Sequence, residues 1–254
     1  PIFQIIWARH CFTVLLVLPI LFFFFKKNFV WTEKPKLQLI RGLLLLGVNI
    51  CFYYAVSHIS LAKALTLTFV SPLVVTVFSS IFLSEKVGIK RWSAVVFGFT
   101  GAIIVIRPGY IPLDIGSLAA LSAGTMYAFY LIITRKLSVS DNSMLTLLIT
   151  GLIGSFAMSF TIPFVWVSPT LDQWLLLSLI GVVTLLGHFL LILSFKYAEA
   201  SKLAPISYFE VVTNTIYGYF LFNHIPDSWT VIGLIIIISS GLFVFYRERI
   251  LGIR

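Results

Sequence analysis

Charged residues are scarce in this chain. Only 11% of its 254 residues are Asp, Glu, Lys or Arg, whereas ordinary soluble domains carry about 25%. Hydrophobic residues make up 59% of the sequence instead, and the mean hydropathy is +1.05. This composition excludes a soluble globular domain. It predicts a polytopic membrane protein with little chain left for anything else.

Cysteine and the common catalytic motifs are also nearly absent. The two cysteines, Cys11 and Cys51, both lie in apolar runs, so the sequence predicts neither a disulfide framework nor a metal site. There is no GxxxxGK[ST] for nucleotides, no HExxH for zinc and no aspartate-rich motif for prenyl diphosphates. We therefore expect no cofactor, and a protein that is not an enzyme.

Apolar segments long enough to span a bilayer recur along the chain. They fall at 2–25, 38–57, 61–83, 92–107, 115–137, 143–166, 173–195, 202–222 and 229–247. The connections between them are too short to hold a catalytic domain. The sequence therefore predicts an all-α membrane protein, a bundle of nine helices in this chain.

Basic residues alternate between the two sides of this predicted bundle. Of the 18 lysines and arginines, all but Arg9, Lys63 and Arg107 fall on one side, and Arg41 is counted there. The positive-inside rule makes that side cytoplasmic. The net charge of +9 thus predicts membrane orientation, with a cytoplasmic C-terminus, rather than a nucleic-acid surface.

The same orientation places the start of the chain on the outer side. The first residue is Pro1 and no initiator methionine precedes it. We expect one further helix before Pro1, which would make ten helices with both ends in the cytoplasm. A cleaved signal peptide is the alternative.

The segment 202–222 carries a carboxylate near its middle. Glu210 lies about 12 Å along this predicted helix from Lys202, where a charge costs about 2.5–3.5 kcal/mol or more. Thr213, Asn214 and Tyr217 follow it at helical spacing, so the four polar groups share one face. The pattern predicts a role for Glu210 in substrate binding or proton coupling. A neutral, purely structural carboxyl group is the alternative.

Two parts of the chain resemble each other. Residues 57–88 and 197–227 each combine a short polar entry, a lysine, an apolar helix with polar interruptions and a brief turn. Five helices separate the copies, so they enter the membrane from opposite sides. Inverted repeats of this kind place the substrate site of transporters near the midplane.

Two further ionisable residues lie inside predicted spans. His188 either hydrogen-bonds structurally within the bundle, or binds substrate or relays a proton. Arg9 either snorkels to the outer interface or faces a cavity, where it would select anionic groups such as carboxylates. His10, adjacent to Arg9 in the sequence, is expected to face elsewhere.

Aromatic and proline residues complete the candidate site. Tyr54, Tyr127 and Tyr208 are candidates for cation–π and stacking contacts with a substrate, although most of the chain's aromatic residues must face lipid or pack. Pro72 lies mid-helix, where the loss of a backbone hydrogen bond permits a kink or a hinge.

Four stretches carry a resemblance to a known family. They are ALTLTFVSPLVVTVFSSIFLSEKVGIKRW at 64–92, GFTGAIIVIRPG at 98–109, GHFLLILSFKYAEASKLAPISYFE at 187–210 and GYFLFNHIPDSWTVIGLIIIISSGLFVFYRER at 218–249. With them the chain resembles the EamA family of the drug/metabolite transporter superfamily over essentially its whole length. One departure is that Glu85 of the first repeat is matched by Asn223 and His224 in the second.

The resemblance implies ten helices in two inverted five-helix repeats. The repeats would occupy 1–108, which lacks its first helix, and 115–250. It also favours the cavity-facing interpretation of Arg9, because the second helix of the family carries an arginine in a similar position.

Together these observations predict a secondary transporter that moves a small organic metabolite across a bacterial-type inner membrane by alternating access. Its substrate-binding residues would be Glu210, His188, Arg9, Tyr54, Tyr127, Tyr208 and Asn214, with Pro72 as a hinge. Two alternatives remain: an integral membrane enzyme acting on a lipid-linked substrate, and a non-transporting scaffold subunit. Beyond the substrate and membrane lipids, the partners considered are protons and a second copy in a homodimer. The sequence decides neither these nor the identity of the substrate and the direction of transport.

Overall fold

A computed structural model describes residues 1–24, 31–82, 89–106, 114–197, 213, 217, 220 and 226–251. Within this part of the chain all regular structure is helical. The helices are α1 Ile2–Phe24, α2 Pro35–His58, α3 Leu61–Thr68, α4 Ser71–Phe82, α5 Ile89–Ile106, α6 Ile115–Ser138, α7 Ser143–Ser159, α8 Ile162–Val165, α9 Leu171–Tyr197 and α10 Ser228–Leu251. The predicted all-α fold is confirmed.

The predicted helix 202–222 lies outside the described residues, except for three helical positions at Thr213, Tyr217 and Phe220. Two other predicted segments, 61–83 and 143–166, are each divided into two helices. In each case a proline lies at the second position of the later helix, where its missing N–H costs no helical hydrogen bond.

In the described part of the chain, five helical segments are long and apolar enough to cross a membrane, one of them running across α3 and α4. They are Ile2–Phe23, Pro35–His58, Leu61–Phe78, Ile115–Ser138 and Leu171–Tyr197. Three shorter apolar helices are Trp92–Ile106, Ser143–Ser159 and Ser228–Ser240. The chain is a polytopic membrane bundle, as its composition predicts.

The helices form two compact units. Unit 1 comprises residues 1–50 and 133–197, and unit 2 comprises residues 51–132 and 198–254. Each unit takes residues from both predicted repeats, 1–108 and 115–250. A repeat is defined by similarity of sequence, whereas a unit is defined by packing in the folded chain. The predicted repeats therefore stay a prediction.

Unit 1 is organised around α1, which packs against α7 and α9. Its apolar core consists of Val17, Leu21, Leu147, Leu185 and Ile192. The side chain of Asn142 caps α7 by accepting a hydrogen bond from the backbone N–H of Met144 at 2.8 Å, which satisfies one of the free donors of its first turn.

The starts of α1 and α9 lie at the same end of unit 1. Near the start of α1, the amide of Gln4 donates to the carbonyl oxygen of Val167 at 2.8 Å and accepts from its N–H at 3.1 Å. Val167 lies four residues before α9 begins at Leu171. Further along the two helices, the ring of Phe12 in α1 meets that of Trp174, in the first turn of α9, edge to face at 6.4 Å.

In unit 2, α5 and α10 pack closely through two glycines. A Cβ on Gly101 would lie 2.7 Å from the carbonyl oxygen of Gly233, and a Cβ on Gly233 would lie 2.6 Å from that of Gly101. Small residues at such crossings let two backbones approach. Beside this contact lies the core of unit 2, which includes Leu67, Val70, Ala102, Val105 and Ile237.

Replacing Gly101 with alanine is expected to destabilise the protein by about 1–3 kcal/mol, because overpacking is costly where the neighbour cannot move. The obstructing atom belongs to backbone. Gly187→Ala is the matched control, since a Cβ at that helical glycine meets nothing within 4 Å. Thermal unfolding in detergent should show a lower midpoint for Gly101→Ala and no loss for Gly187→Ala. Equal midpoints would contradict the close crossing.

The interruption between α3 and α4 is also in unit 2. Pro72 has no N–H to offer the carbonyl oxygen of Thr68, four residues earlier. That oxygen instead faces α6, where a Cβ on Gly124 would lie 2.7 Å from it. Pro72 was expected inside one continuous helix, but it lies at the second position of α4, after a break between two helices; its use as a hinge stays a prediction.

Candidate substrate site

The structure brings two of the predicted site residues together. Arg9 of α1 and His188 of α9, both in unit 1, are hydrogen-bonded. Tyr54 and Tyr127 belong to unit 2. The remaining three, Glu210, Tyr208 and Asn214, lie outside the described residues.

The contact between Arg9 and His188 defines the protonation and the tautomer of the imidazole. The Nη2 atom of Arg9 lies 3.3 Å from Nε2 of His188, and the contact is partly buried. A guanidinium group only donates hydrogen bonds, so Nε2 must accept. In this arrangement His188 is neutral and carries its proton on Nδ1. The ring nitrogen facing Arg9 cannot take up a proton while this bond exists.

The guanidinium of Arg9 is directed into the bundle. Since α1 and α9 start at the same end of unit 1, distances along the two helices can be compared. Arg9 lies about 10 Å from the start of α1, while His188 lies about 25 Å from the start of α9. The side chain of Arg9 therefore extends inward to reach His188. This geometry differs from the snorkelling alternative, which requires the opposite direction.

His10 has a packing role. Its Nδ1 donates to the carbonyl oxygen of Ile6 at 2.8 Å, and its ring lies against Gly154 of α7, where a Cβ would overlap it. The side chain is only 3% exposed. His10 thus faces α7 while Arg9 faces α9, as expected for adjacent residues on one helix.

Arg41 is a buried cation that the sequence analysis assigned to the cytoplasmic side. Its exposure is 0%, and it lies six residues after the start of α2 at Pro35, whereas the predicted segment began at residue 38. Nε donates to Oγ1 of Thr134 on α6 at 2.8 Å, and Nη1 donates to Oγ1 of Thr150 on α7. Proline favours the first position of a helix. That preference, applied to Pro35, would have placed Arg41 nearly two turns inside.

A second polar group lies close to Arg41 in unit 1. The amide nitrogen of Gln38 donates to Oδ2 of Asp141 at 2.7 Å and to Oγ1 of Thr146 at 3.0 Å. The hydroxyl of Thr32 also donates to Oδ2 of Asp141. These bonds hold the carboxylate of Asp141 at the start of α7, against the beginning of α2.

Two positive charges of unit 1 act on His188. Arg9 and Arg41 both interact electrostatically with its imidazole. Of the acidic residues of unit 1 that the structure describes, Glu33 is exposed, Asp172 lies in the first turn of α9, and the carboxylate of Asp141 is held by Thr32 and Gln38. A buried region with this balance favours negatively charged groups.

The predicted tyrosines of unit 2 stack on aromatic neighbours. The ring of Tyr54 lies 4.2 Å from that of His58 with an interplanar angle of 29°. The ring of Tyr127 lies 5.6 Å from that of Tyr130 with an angle of 14°. Tyr127 is half-buried, whereas 38% of Tyr54 is exposed. Exposure leaves Tyr54 the more accessible of the two predicted residues for a substrate contact.

An ion pair joins α3 to the start of α6 in unit 2. Nζ of Lys63 lies 2.9 Å from Oδ2 of Asp114, and Asp114 also accepts hydrogen bonds from the backbone and hydroxyl of Ser117. Burial alone would raise the pKa of Asp114, but the bonds from Lys63 and Ser117 outweigh it and lower that pKa below its usual value. Asp114 therefore stays ionised and caps α6.

Comparison with known proteins agrees with this architecture. A solved crystal structure superimposes on the chain with a TM-score of 0.72, covering 96% of this chain and 88% of that one at 15% identity. At this identity the likeness shows the fold alone. The S-adenosylmethionine uptake transporter of Rickettsia bellii is 29% identical over 97% of this chain and 84% of its own length.

Two other relatives have different names. The riboflavin transporter of Vibrio cholerae is 27% identical over 95% of this chain and 82% of its own length. The pseudopaline exporter of Pseudomonas aeruginosa is 30% identical over 80% of this chain and 72% of its own length.

The fold and these relatives define a multi-pass membrane transporter of small molecules rather than an enzyme. The model of the EamA-like transporter family matches residues 1–107 and 114–246. The chain belongs to the EamA-like transporter family.

Proposed function

We propose that the protein is a secondary active transporter that moves a small organic metabolite across a bacterial inner membrane by alternating access. The observation that supports this most is the inward-directed pair of Arg9 and His188 inside two membrane-spanning helices. Ionisable groups at such positions are costly, and by default they indicate a substrate or ion pathway.

Arg9 and His188 are the residues on which we base the substrate site. The roles of Glu210, Tyr208 and Asn214 rest on the sequence. Tyr54 and Tyr127, described in unit 2, stay predicted contacts as well. We attribute proton coupling to Glu210 on the sequence alone, because an ionisable carboxyl group inside a predicted span is the usual mark of a proton pathway.

The names of the relatives guide the choice of substrate. They include an uptake transporter for S-adenosylmethionine and an exporter for pseudopaline, so relatives of this chain work in both directions. S-adenosylmethionine is our first candidate. The proposed inner-membrane orientation, with a cytoplasmic C-terminus, follows from the distribution of basic residues.

Uptake into proteoliposomes tests this function. Liposomes containing the purified protein and unlabelled S-adenosylmethionine inside should accumulate labelled S-adenosylmethionine by exchange, faster than liposomes without protein. The same assay with riboflavin covers the second relative. A protein that exchanges neither, and whose melting temperature responds to no metabolite, would support the non-transporting scaffold instead.

A further inference from the structure

We infer that Arg9 is an anion-binding residue, and that the transported metabolite carries a carboxylate which this guanidinium binds. The inference rests on the proposed function and names the substrate class of the same site. It depends on the direction of Arg9, on the acceptor role of His188 and on the charge balance of unit 1.

The positive charge of Arg9 is costly inside a membrane span. A guanidinium group is a permanent cation in proteins, and a cation within a membrane span costs about 2.5–3.5 kcal/mol or more unless it snorkels or is paired. Arg9 does not extend toward the nearer end of its helix. In the part of the chain that the structure describes, its guanidinium bonds a neutral imidazole and no carboxylate.

The guanidinium of Arg9 has more hydrogen-bond donors than its contact with His188 uses. A guanidinium has five N–H groups in one plane, and the described contact with His188 uses one of them. The remaining edge of the plane can bind both oxygens of a carboxylate in parallel. This two-point geometry is the reason that arginine, rather than lysine, recurs at carboxylate sites.

The electrostatic field around Arg9 and His188 also favours an anion. Arg41 adds a second buried positive charge that also acts on His188, while the carboxylate of Asp141 is occupied by Thr32 and Gln38. An incoming carboxylate would therefore be attracted by two cations.

His188 acts as a positioning residue. Its Nε2 lone pair accepts from Nη2 of Arg9 and keeps the guanidinium pointing into the bundle. A residue that preserves this acceptor should preserve the site. His188→Gln supplies an amide oxygen that can take over the role, and His188→Phe supplies none.

The test compares acids with their amides. Thermal stabilisation of the purified protein in detergent is measured with a panel of carboxylic-acid metabolites, including S-adenosylmethionine, each paired with its primary carboxamide. Riboflavin, which has no carboxylate, is included. We expect at least one acid to stabilise the wild-type protein and its amide to bind about 10–100-fold more weakly, as expected for loss of a charge-assisted hydrogen bond.

The variants should then differ in how strongly they prefer the acid over its amide. Arg9→Gln is expected to bind acid and amide alike, Arg9→Lys to keep a weakened preference for the acid, and His188→Gln to keep more of the preference than His188→Phe. Arg135→Gln is the matched control: it removes a cation of unit 1 that donates instead to the carbonyl oxygen of Phe195, and it should keep the full preference.

The inference is overturned if acid and amide stabilise the wild-type protein equally, if Arg9→Gln keeps the preference, or if riboflavin alone stabilises the protein. The transport proposal fails separately, if an acid binds through Arg9 but is not moved in proteoliposomes.

Discussion

Replacing Glu210 with glutamine is expected to abolish proton-driven transport and to leave the protein folded. Glutamine has nearly the same shape but does not titrate, so it cannot carry a proton across the cycle. Removing a carboxylate from hydrocarbon also relieves an insertion cost of about 2.5–3.5 kcal/mol, so stability should not fall. Accumulation driven by an imposed pH gradient should decrease at least about tenfold, the equivalent of 1.4 kcal/mol.

Glu33→Gln is the matched control for this variant. Glu33 is an exposed acid in the connection before α2, outside the predicted spans, and its replacement should keep transport at the wild-type rate. If Glu210→Gln accumulates substrate as fast as wild type, Glu210 has no role in coupling. A variant that exchanges substrate across the membrane but does not accumulate it would assign Glu210 to coupling alone.

Replacing Thr150 or Thr134 with valine is expected to cost about 1.5–3 kcal/mol of stability for each residue, the usual value for a hydrogen bond to a charged group. Both hydroxyl oxygens accept from the buried guanidinium of Arg41. Valine matches the shape of threonine but leaves a charged N–H without that acceptor. The effect should appear as a lower unfolding midpoint in detergent.

Thr125→Val is the control for those two variants. Thr125 also lies on α6, and its hydroxyl donates only to the carbonyl oxygen of Leu121 in its own helix. We expect a change within about 0.5 kcal/mol, as for substitutions away from a specific contact. If all three valine variants unfold together, Thr134 and Thr150 contribute nothing to holding Arg41.

Proline positions show how far sequence reasoning reached into the fold. A local irregularity at Pro72 was expected from the missing N–H alone, as a kink or hinge within one helix. That the freed carbonyl oxygen of Thr68 would meet Gly124 was not, because this contact depends on which helix lies opposite. Likewise, a small residue such as Gly101 favours close helix packing in any membrane span, while its pairing with Gly233 became evident only in the folded chain.

In the candidate site, too, the sequence indicated the individual residues and only the structure showed their contacts. Arg9 and His188 were both singled out because an ionisable residue in an apolar run is visible in any sequence. Their hydrogen bond joins residues 179 positions apart, and no local pattern predicts such a pairing. The burial of Arg41 was not predictable for a related reason: a basic residue near a helix end has the same local sequence whether it faces water or is buried between helices.

By itself, the sequence determined that this protein is a polytopic helical membrane protein of a transporter family. Those properties depend on the hydrophobicity and length of successive segments and on motifs within them, all of which are local. Only the tertiary structure decided that Arg9 points inward to His188 and that Arg41 is enclosed by two threonines. The direction of a long charged side chain is set by the acceptors that neighbouring helices present, and these come from distant parts of the chain.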